Sequence, residues 1–197
     1  MSLAGLILAA GASRRMGFPK PLLELEGETF LDRLIAAFLP SCDPVIVVLG
    51  HHGERIRRGI RRAADVQFVE NPDPERGMLS SLRCGLRAAP APAGGVIFTP
   101  ADYPRILPST VAQLAEAFSN SSGGNLVFVP VCDGRRGHPV CIARPLFPEF
   151  LDLPDDADPR TVIRRHRPET AYVEAGDPGI LKDIDLPEDY RRLVGPD

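Results

Sequence analysis

The sequence has 197 residues, of which 44% are hydrophobic and 25% are charged, so it has the composition of a globular protein with room for a sizeable core. Its net charge of -3 argues against a general nucleic-acid binder, because such proteins need many cationic side chains to displace phosphate counterions. No apolar run approaches the roughly 20 residues of a membrane helix, and no basic n-region precedes the first apolar run. We therefore expect one domain over residues 1–197, a cytoplasmic location, and no membrane or nucleic-acid partner.

In the first half of the chain, apolar strand-like runs alternate with segments of helical periodicity. Strands are predicted at LAGLILA (3–9), PVIVVLG (44–50), VQFVE (66–70) and GVIFTPAD (95–102). Helices are predicted between them at TFLDRLIAAFL (29–39), GERIRRGIRRA (53–63) and SSLRCGLRAA (80–89). This alternation of strand and helix is typical of a parallel sheet with crossover helices.

The second half continues the pattern less regularly. A helix is predicted from Pro108, then a loop at SNSSGG (119–124) and a strand at NLVFVPV (125–131). Further strands are predicted at GHPVCIA (137–143), TAYVEA (170–175) and ILKDID (180–185). Helices are predicted at RPLFPEFLDL (144–153, broken by Pro148), from Pro159, and at PEDYRRLV (187–194). We expect these segments to extend the sheet and to wall one side of a cleft.

The continuous apolar strands predict a fold class. Strands that are apolar on both faces are typical of parallel sheets covered by helices on both sides. We therefore expect an α/β protein with a three-layer α/β/α sandwich and right-handed crossover connections between its parallel strands. Ligands bind such sheets at the carboxyl ends of the strands, so candidate site loops begin at Ala9, Glu70 and Pro100.

The stretch LAAGASRRMGFPK (8–20) is the first of these loops, and it combines small residues with three cations. Gly11 and Gly17 tolerate positive φ, and small side chains let backbone amides approach a phosphate closely. Arg15 and Lys20 would balance polyphosphate charge. The string is neither GxxxxGK[ST] nor GxGxxG. A solvated basic turn is the alternative interpretation.

Taken whole, the string resembles the LAAGxSxRMGxxK signature of the MobA/MocA-like nucleotidyltransferases. The resemblance implies a Rossmann-like, mostly parallel sheet of the nucleotide-diphospho-sugar transferase (glycosyltransferase-A-like) type. It also implies transfer of a nucleoside monophosphate from an NTP to a phosphorylated small-molecule acceptor, with release of pyrophosphate. By position, Arg15 and Lys20 would be catalytic, and the loop would bind the nucleotide through Leu8, Ala9, Ala10, Gly11, Ala12, Ser13, Arg14, Arg15 and Lys20.

A second stretch, NPDPERGMLSSLRCGL (71–86), resembles the family's N…GMxxSLxxGL element. The resemblance implies base or ribose contacts for Asn71, Gly77, Ser80 and Ser81. Hydroxyls at the start of a helix can read a base edge, and the helix N-terminus favours an anionic ligand. The alternative is that Ser80 is a plain N-cap.

Two carboxylates are implied as metal ligands. TPADYPRI (99–106) resembles the family's DxP motif, in which Asp102 would be catalytic and bind Mg²⁺ that bridges the α- and β-phosphates. LKDIDLPEDYRRL (181–193) resembles the family's DIDTPEDL-type ending, which makes Asp185, rather than Asp183, a second metal ligand. The structural alternatives are a turn-forming aspartate for Asp102 and an N-cap ahead of Pro187 for Asp185.

The acceptor side is implied by RRGHPVCIARPLF (135–147), which resembles the family's GxPV segment. Gly137 and His138 would lie there, and His138 would touch the acceptor, move a proton, or be structural. Within the family, the LAAG start and the overall pattern are most similar to the molybdenum cofactor cytidylyltransferases. This resemblance implies CTP as the donor and molybdopterin as the acceptor, with a molybdoenzyme or its chaperone as the recipient of the product. One departure is that PDDADPRTVIRRH lacks the glycines of a GDxGAR-like stretch, where Arg160 would stand in for the arginine.

Three alternatives in function stay open from the residues alone. One is a guanylyl or other NTP transferase that acts on a sugar or alcohol phosphate. Another is a nucleotide-binding regulatory protein that has lost catalysis, against which Lys20, Asp102 and Asp185 argue. The third is a glycosyltransferase, which would show a DxD-like motif where this chain has ADYP.

Overall fold

The structure, a computed structural model, describes residues 2–121 and 124–195 and consists of a central sheet with helices on both faces. Its strands are β1 (Ser2–Leu8), β2 (Glu24–Leu25), β3 (Glu28–Thr29), β4 (Val45–Leu49), β5 (Gln67–Glu70), β6 (Ala93–Pro100), β7 (Val127–Cys132), β8 (Arg135–Arg136), β9 (Val140–Ala143) and β10 (Thr170–Glu174). Its helices are α1 (Phe30–Phe38), α2 (Gly53–Gly59), α3 (Met78–Ala88), α4 (Pro108–Asn120), α5 (Phe147–Leu151), α6 (Arg160–Arg165) and α7 (Pro187–Val194).

The main sheet has the strand order β10-β7-β9-β6-β1-β4-β5, and β8 pairs with β7. Its neighbours are parallel except where β9 pairs antiparallel with β6 and β7 and where β8 pairs antiparallel with β7. The segment from β7 to β9 is too short for a crossover, which needs a dozen or more residues, so β9 must return antiparallel. The predicted α/β sandwich with a mostly parallel sheet is confirmed.

Two apolar layers hold the helices to the sheet, one on each face. On one face, α1, α2 and α4 pack on the sheet through residues such as Phe38, Ile56 and Leu114. On the other face, α3, α5 and α6 pack through Leu82, Phe150 and others. Strand β4 is buried along its whole length because both of its faces are covered.

The predicted strands and helices are mostly confirmed, with shifted ends. The helix predicted at 53–63 ends at Gly59, and the carboxylate of Asp32 accepts the backbone amides of Arg61 and Arg62 just beyond it. The short hairpin of β2 and β3 was not predicted. Of the loop predicted at 119–124, Ser119 and Asn120 belong to α4, while residues 122 and 123 lie outside the described part of the chain.

Three predictions in the second half and at the start of α3 are wrong. The segment 180–185 is not a strand, because the Asp177 side chain accepts the Gly179 amide and starts a 3-10 turn over Pro178–Leu181. Pro148 does not break its helix but occupies the first turn of α5, where a backbone N–H has no partner within the helix and proline therefore costs no hydrogen bond. Helix α3 begins at Met78, so Ser80 lies inside the first turn and Gly77, rather than Ser80, is the N-cap. Within residues 2–121 and 124–195, no helix is long and apolar enough to cross a bilayer.

Candidate active site

A cavity of about 560 Å³ opens at the carboxyl ends of β1, β5 and β6, where the sequence predicted the site loops. Most of the residues predicted to bind the nucleotide line this cavity: Leu8, Ala9, Ala10, Gly11, Ala12, Ser13, Arg14, Arg15, Lys20, Gly77 and Ser81. Asp102, Asp183, Asp185 and His138 also belong to its lining. Asn71, Ser80 and Gly137 do not line this cavity.

The loop after β1 is shaped by a tight turn around Ser13. Ser13 has a φ of 51° and Gly17 a φ of 71°, and the Ser13 carbonyl accepts the amides of Met16 and Gly17, each at 3.1 Å. The Ser13 hydroxyl also accepts the Lys20 amide at 3.0 Å. In the described part of the chain, the backbone amides of residues 11–15 donate no hydrogen bond. The loop therefore presents a row of free donors of the kind that binds phosphate oxygens.

Gly11 serves the loop differently from Gly17. Only Gly17 adopts a positive φ, whereas a side chain at Gly11 would meet no heavy atom within 4 Å. The space beside Gly11 is therefore open cavity, into which a ligand could come close to the backbone.

A charge cluster of Arg15, Lys20, Asp102 and Asp185 lies beside this loop. The Lys20 ammonium contacts Asp102 at 3.1 Å and also donates to Asp185. The Arg15 guanidinium lies 2.6 Å from Asp185. The Lys20 side chain is only 14% exposed, whereas that of Arg15 is 67% exposed. Lys20 is thus held in place, and Arg15 can exchange its exposed pair for a ligand at little cost.

The pKa values follow from burial and from these pairs. Burial would lower the pKa of Lys20, but the charges and hydrogen bonds of Asp102 and Asp185 outweigh it and raise that pKa. The hydrogen bond from Lys20 lowers the pKa of Asp185. Burial raises the pKa of Asp102 despite the charge of Lys20. Lys20 is therefore a cation at neutral pH, and its ion pair does not fully compensate the burial of Asp102.

The residues present suit a divalent ion bound together with a nucleotide. The Oδ1 atom of Asp102 is inaccessible to water and has no hydrogen-bond partner among the described residues. Within those residues no group of three or more His, Cys, Asp or Glu side chains is arranged to hold a metal. Mg²⁺ is usually bound by one or two carboxylates and completed by substrate phosphates and water, so Asp102 and Asp185 fit that ion once phosphates are present.

Behind the cavity, Asn71 organises the start of α3. Its side-chain amide donates to Ser80 at 2.8 Å and to Ser81 at 3.1 Å, and its carbonyl accepts the Asp73 amide at 2.9 Å. Asn71 is 4% exposed, so it lies under the cavity wall. Gly77, which does line the cavity, has a φ of 83°, and this conformation lets the chain turn into α3.

A second cavity of about 570 Å³ adjoins the first. His138, Tyr103, Met78 and Arg160 line both, and Gly137 lines the second. The His138 ring lies 4.9 Å from the Tyr103 ring, and burial lowers the pKa of His138 to about 4. Its Nδ1 atom has no partner among the described residues. His138 is therefore a neutral imidazole at pH 7, placed between the two cavities.

Part of the boundary between the two cavities was not predicted from the sequence. Tyr103 was not named, although it is the middle residue of the D-x-P stretch, whose flanking Asp102 was predicted. Arg160 was named only as a substitute for a family arginine, and the structure brings it to both cavities. The arginines at positions 135, 136, 164 and 167 carried no motif signal, because they converge only through the fold.

The sheet is mostly parallel, and free amides, a half-buried lysine and two carboxylates lie at its strand ends. This arrangement suits a nucleotide-binding enzyme. The family model described as "MobA-like NTP transferase domain" matches residues 5–170. The chain belongs to this family and is a nucleotidyltransferase.

Two relatives extend over nearly the full chain. The molybdenum cofactor cytidylyltransferase of Escherichia coli (strain K12) is 26% identical over 94% of this chain and 92% of its own length. The purine catabolism protein PucB of Bacillus subtilis (strain 168) is 31% identical over 95% of this chain and 94% of its own length. The similarity to these relatives thus extends beyond residues 5–170, which the family model matches.

Solved structures share this fold. A nucleotidyl transferase from Methanothermobacter thermautotroptrophicus superposes with a TM-score of 0.81 at 25% identity and covers 98% of this chain and 96% of its own. A structure of Rv0371C in complex with manganese, from Mycobacterium tuberculosis H37Rv, has a TM-score of 0.75 at 26% identity and covers 98% of each chain.

Proposed function

We propose that this nucleotidyltransferase moves a cytidylyl group from CTP to the phosphate of molybdopterin, with Mg²⁺ bound by Asp102 and Asp185. The observation that carries the proposal is the meeting of a free-amide loop, Lys20 and these two carboxylates in one cavity of about 560 Å³. Likeness to the cytidylyltransferase of Escherichia coli over 94% of the chain supports the donor and the acceptor.

The residues suggest how the triphosphate would be held. The free amides of residues 11–15 would donate hydrogen bonds to phosphate oxygens, and Arg15 would leave its exposed pair with Asp185 to join them. Lys20, whose pKa is raised, would stay charged next to the phosphates. Ser81 and Gly77, at the start of α3, would lie toward the nucleoside.

Transfer needs little proton chemistry from the protein. An acceptor phosphate oxygen is already ionised near neutral pH, so it can attack the α-phosphorus in line without a strong general base. A bond forms between that oxygen and the α-phosphorus. The bond between the α-phosphorus and the oxygen that bridges it to the β-phosphate breaks, and pyrophosphate leaves. Mg²⁺, when bound, supplies charge neutralisation on the phosphates. Arg15 and Lys20 would stabilise the same developing charge.

The test is a donor and acceptor panel. The protein is incubated with Mg²⁺, with CTP, GTP, ATP or UTP in turn, and with molybdopterin, a sugar phosphate or an alcohol phosphate, and pyrophosphate and the nucleotidyl product are measured. We expect CTP with molybdopterin to react fastest and EDTA to stop the reaction. Faster transfer from GTP, or to a sugar or alcohol phosphate, would replace the proposed substrates. Binding without transfer across the panel would refute the proposed reaction.

A further inference from the structure

We infer that the second cavity binds the acceptor and selects one that carries a second anionic group, separated by a flat apolar body from the phosphate that reacts. This inference rests on the proposed function, because it assigns the acceptor to the cavity adjoining the proposed nucleotide site. It names a class of acceptor: a dianionic or polyanionic ligand with a planar centre.

The charge of the second cavity supports this class. Among the described residues its lining contains no Asp or Glu but five arginines: Arg135, Arg136, Arg160, Arg164 and Arg167. The chain as a whole has a net charge of -3, so this is a local concentration of positive charge. Arginine is the residue suited to planar, bidentate recognition of carboxylate and phosphate.

The first cavity differs in that all of its cations except Arg160 are paired with its own acids. There Arg14 pairs with Glu75, while Arg15 and Lys20 contact Asp185. In the second cavity, Arg135, Arg160 and Arg167 form no salt bridge with any described residue. Arg164 has only a 3.4 Å contact with Asp158. The arginines of the second cavity are therefore available to a ligand.

The arrangement of the arginines argues for two separate anionic groups. Arg160 lines both cavities, beside His138 and Tyr103, where a reacting phosphate would have to lie. Arg135, Arg136, Arg164 and Arg167 line the second cavity alone. A ligand with one phosphate at the junction would leave these four cations without an anion.

The remaining lining defines the body of the ligand. Between the arginines lie apolar side chains that include Val129, Val140, Ile163 and Ile180. Tyr172 adds an aromatic face, over which the Arg136 guanidinium lies 4.5 Å from the ring centroid. A volume of about 570 Å³ is in the range of small-molecule sites. An apolar ring can pack against these side chains and the Tyr172 face, whereas sugar hydroxyls that face them would lack partners.

Fluorescent probes can test this inference directly, because the chain contains no tryptophan to obscure naphthalene emission. We would titrate the protein with 2-naphthyl phosphate and with 6-carboxy-2-naphthyl phosphate, which differ by one anionic group, and compare Kd values at constant salt. We expect the carboxylate to tighten binding about tenfold or more. Equal affinity of the two probes would overturn the inference.

Variants test which arginines cause the tighter binding of the carboxylate probe. In Arg136→Gln/Arg167→Gln the advantage of the carboxylate should fall to less than about twofold, whereas Arg165→Gln should keep it. Arg165 is a matched control, since it neighbours Arg164 on α6 but pairs with Glu149 and does not line the cavity. A gain that survives the double variant would place the carboxylate elsewhere and refute the inference.

The same experiment separates this inference from the proposed function. The probe titrations need no nucleotide, so an arginine-dependent gain in a protein that transfers no nucleotidyl group would refute the proposed reaction and leave the ligand preference of the cavity standing. Conversely, transfer to molybdopterin with no difference between the probes would refute only the second anionic group. Melting temperatures of both variants verify that they are folded.

Discussion

Replacing Asp102 with asparagine should separate a metal ligand from a structural aspartate. Asn keeps the shape of the side chain and can still accept the hydrogen bond that Lys20 donates to Oδ2 at 3.1 Å. It removes the charge that a metal would need. Because burial raises the pKa of Asp102 despite Lys20, the carboxylate is held in an environment that favours its neutral form.

The stability effect of Asp102→Asn follows from two opposing terms. Loss of the charge weakens a hydrogen bond between charged groups, which contributes about 1.5–3 kcal/mol. Asn also removes the buried charge, whose desolvation raises the pKa of Asp102, and this offsets the loss, although Nδ2 then takes the place of the unpartnered Oδ1. The raised pKa indicates that burial outweighs the attraction of Lys20, so we expect the free energy of unfolding to stay within about 1 kcal/mol of the wild-type value.

The catalytic effect should be far larger. Loss of one electrostatic contact to the reacting phosphates slows turnover by about 100- to 1,000-fold. The assays are urea unfolding for stability, pyrophosphate release for turnover, and the Mg²⁺ dependence of the thermal shift that CTP produces. Asp183→Asn is the control, because Asp183 lines the same cavity but forms no salt bridge with a described residue. Full turnover in Asp102→Asn, or destabilisation beyond about 2 kcal/mol, would refute the reasoning.

Three further predictions concern single residues. Gly137→Ala should lower stability by about 1–3 kcal/mol, because the added Cβ would lie 2.1 Å from the Ile180 carbonyl oxygen. Gly11→Ala, with open space around it, should fold normally and weaken nucleotide binding. Thermal melts and CTP titrations check both variants. The pKa of His138 is about 4 in the folded chain against an ordinary 6.5, so as pH falls from 6.5 toward 4 the imidazole takes up a proton only in the unfolded state. The wild type should therefore lose about 2 kcal/mol of stability between pH 7.5 and 5 that His138→Asn does not lose, and an equal loss in the two proteins by urea unfolding would contradict this. Phe150→Ala, at a fully buried position, should cost about 3–5 kcal/mol in urea unfolding, and a loss under 1 kcal/mol would show that the layer beneath α3 is not close-packed.

The sequence predicts well which residues meet in the first cavity, for a physical reason. The strands β1 and β6 are continuous apolar runs, and the loops that follow them contain small and charged residues that line the first cavity. Parallel strands place those loops at one edge of the sheet, so local patterns suffice to bring Lys20 and Asp102 together.

Other features depend on contacts that local patterns do not reveal. The true start of α3 was missed because Gly77, with its positive φ, replaces a side-chain cap. Asn71 was expected to face the nucleotide, but its amide is engaged by Ser80 and Ser81 under the wall. The arginine-lined cavity needs residues from the β7–β8 hairpin, α6 and the segment before β10, which only the folded chain brings together.

The antiparallel return of β9 has a consequence for how this architecture can diversify. It makes residues 127–143 a locally paired unit beside the parallel half of the sheet, and this unit supplies Gly137, His138 and Arg136 to the second cavity. The loops of β1, β5 and β6, which form most of the first cavity, belong to the other half. Substitutions at Gly137 or Arg136 can thus reshape the second cavity without touching the first, whereas His138, Tyr103 and Arg160 line both cavities, so changes there alter the two together.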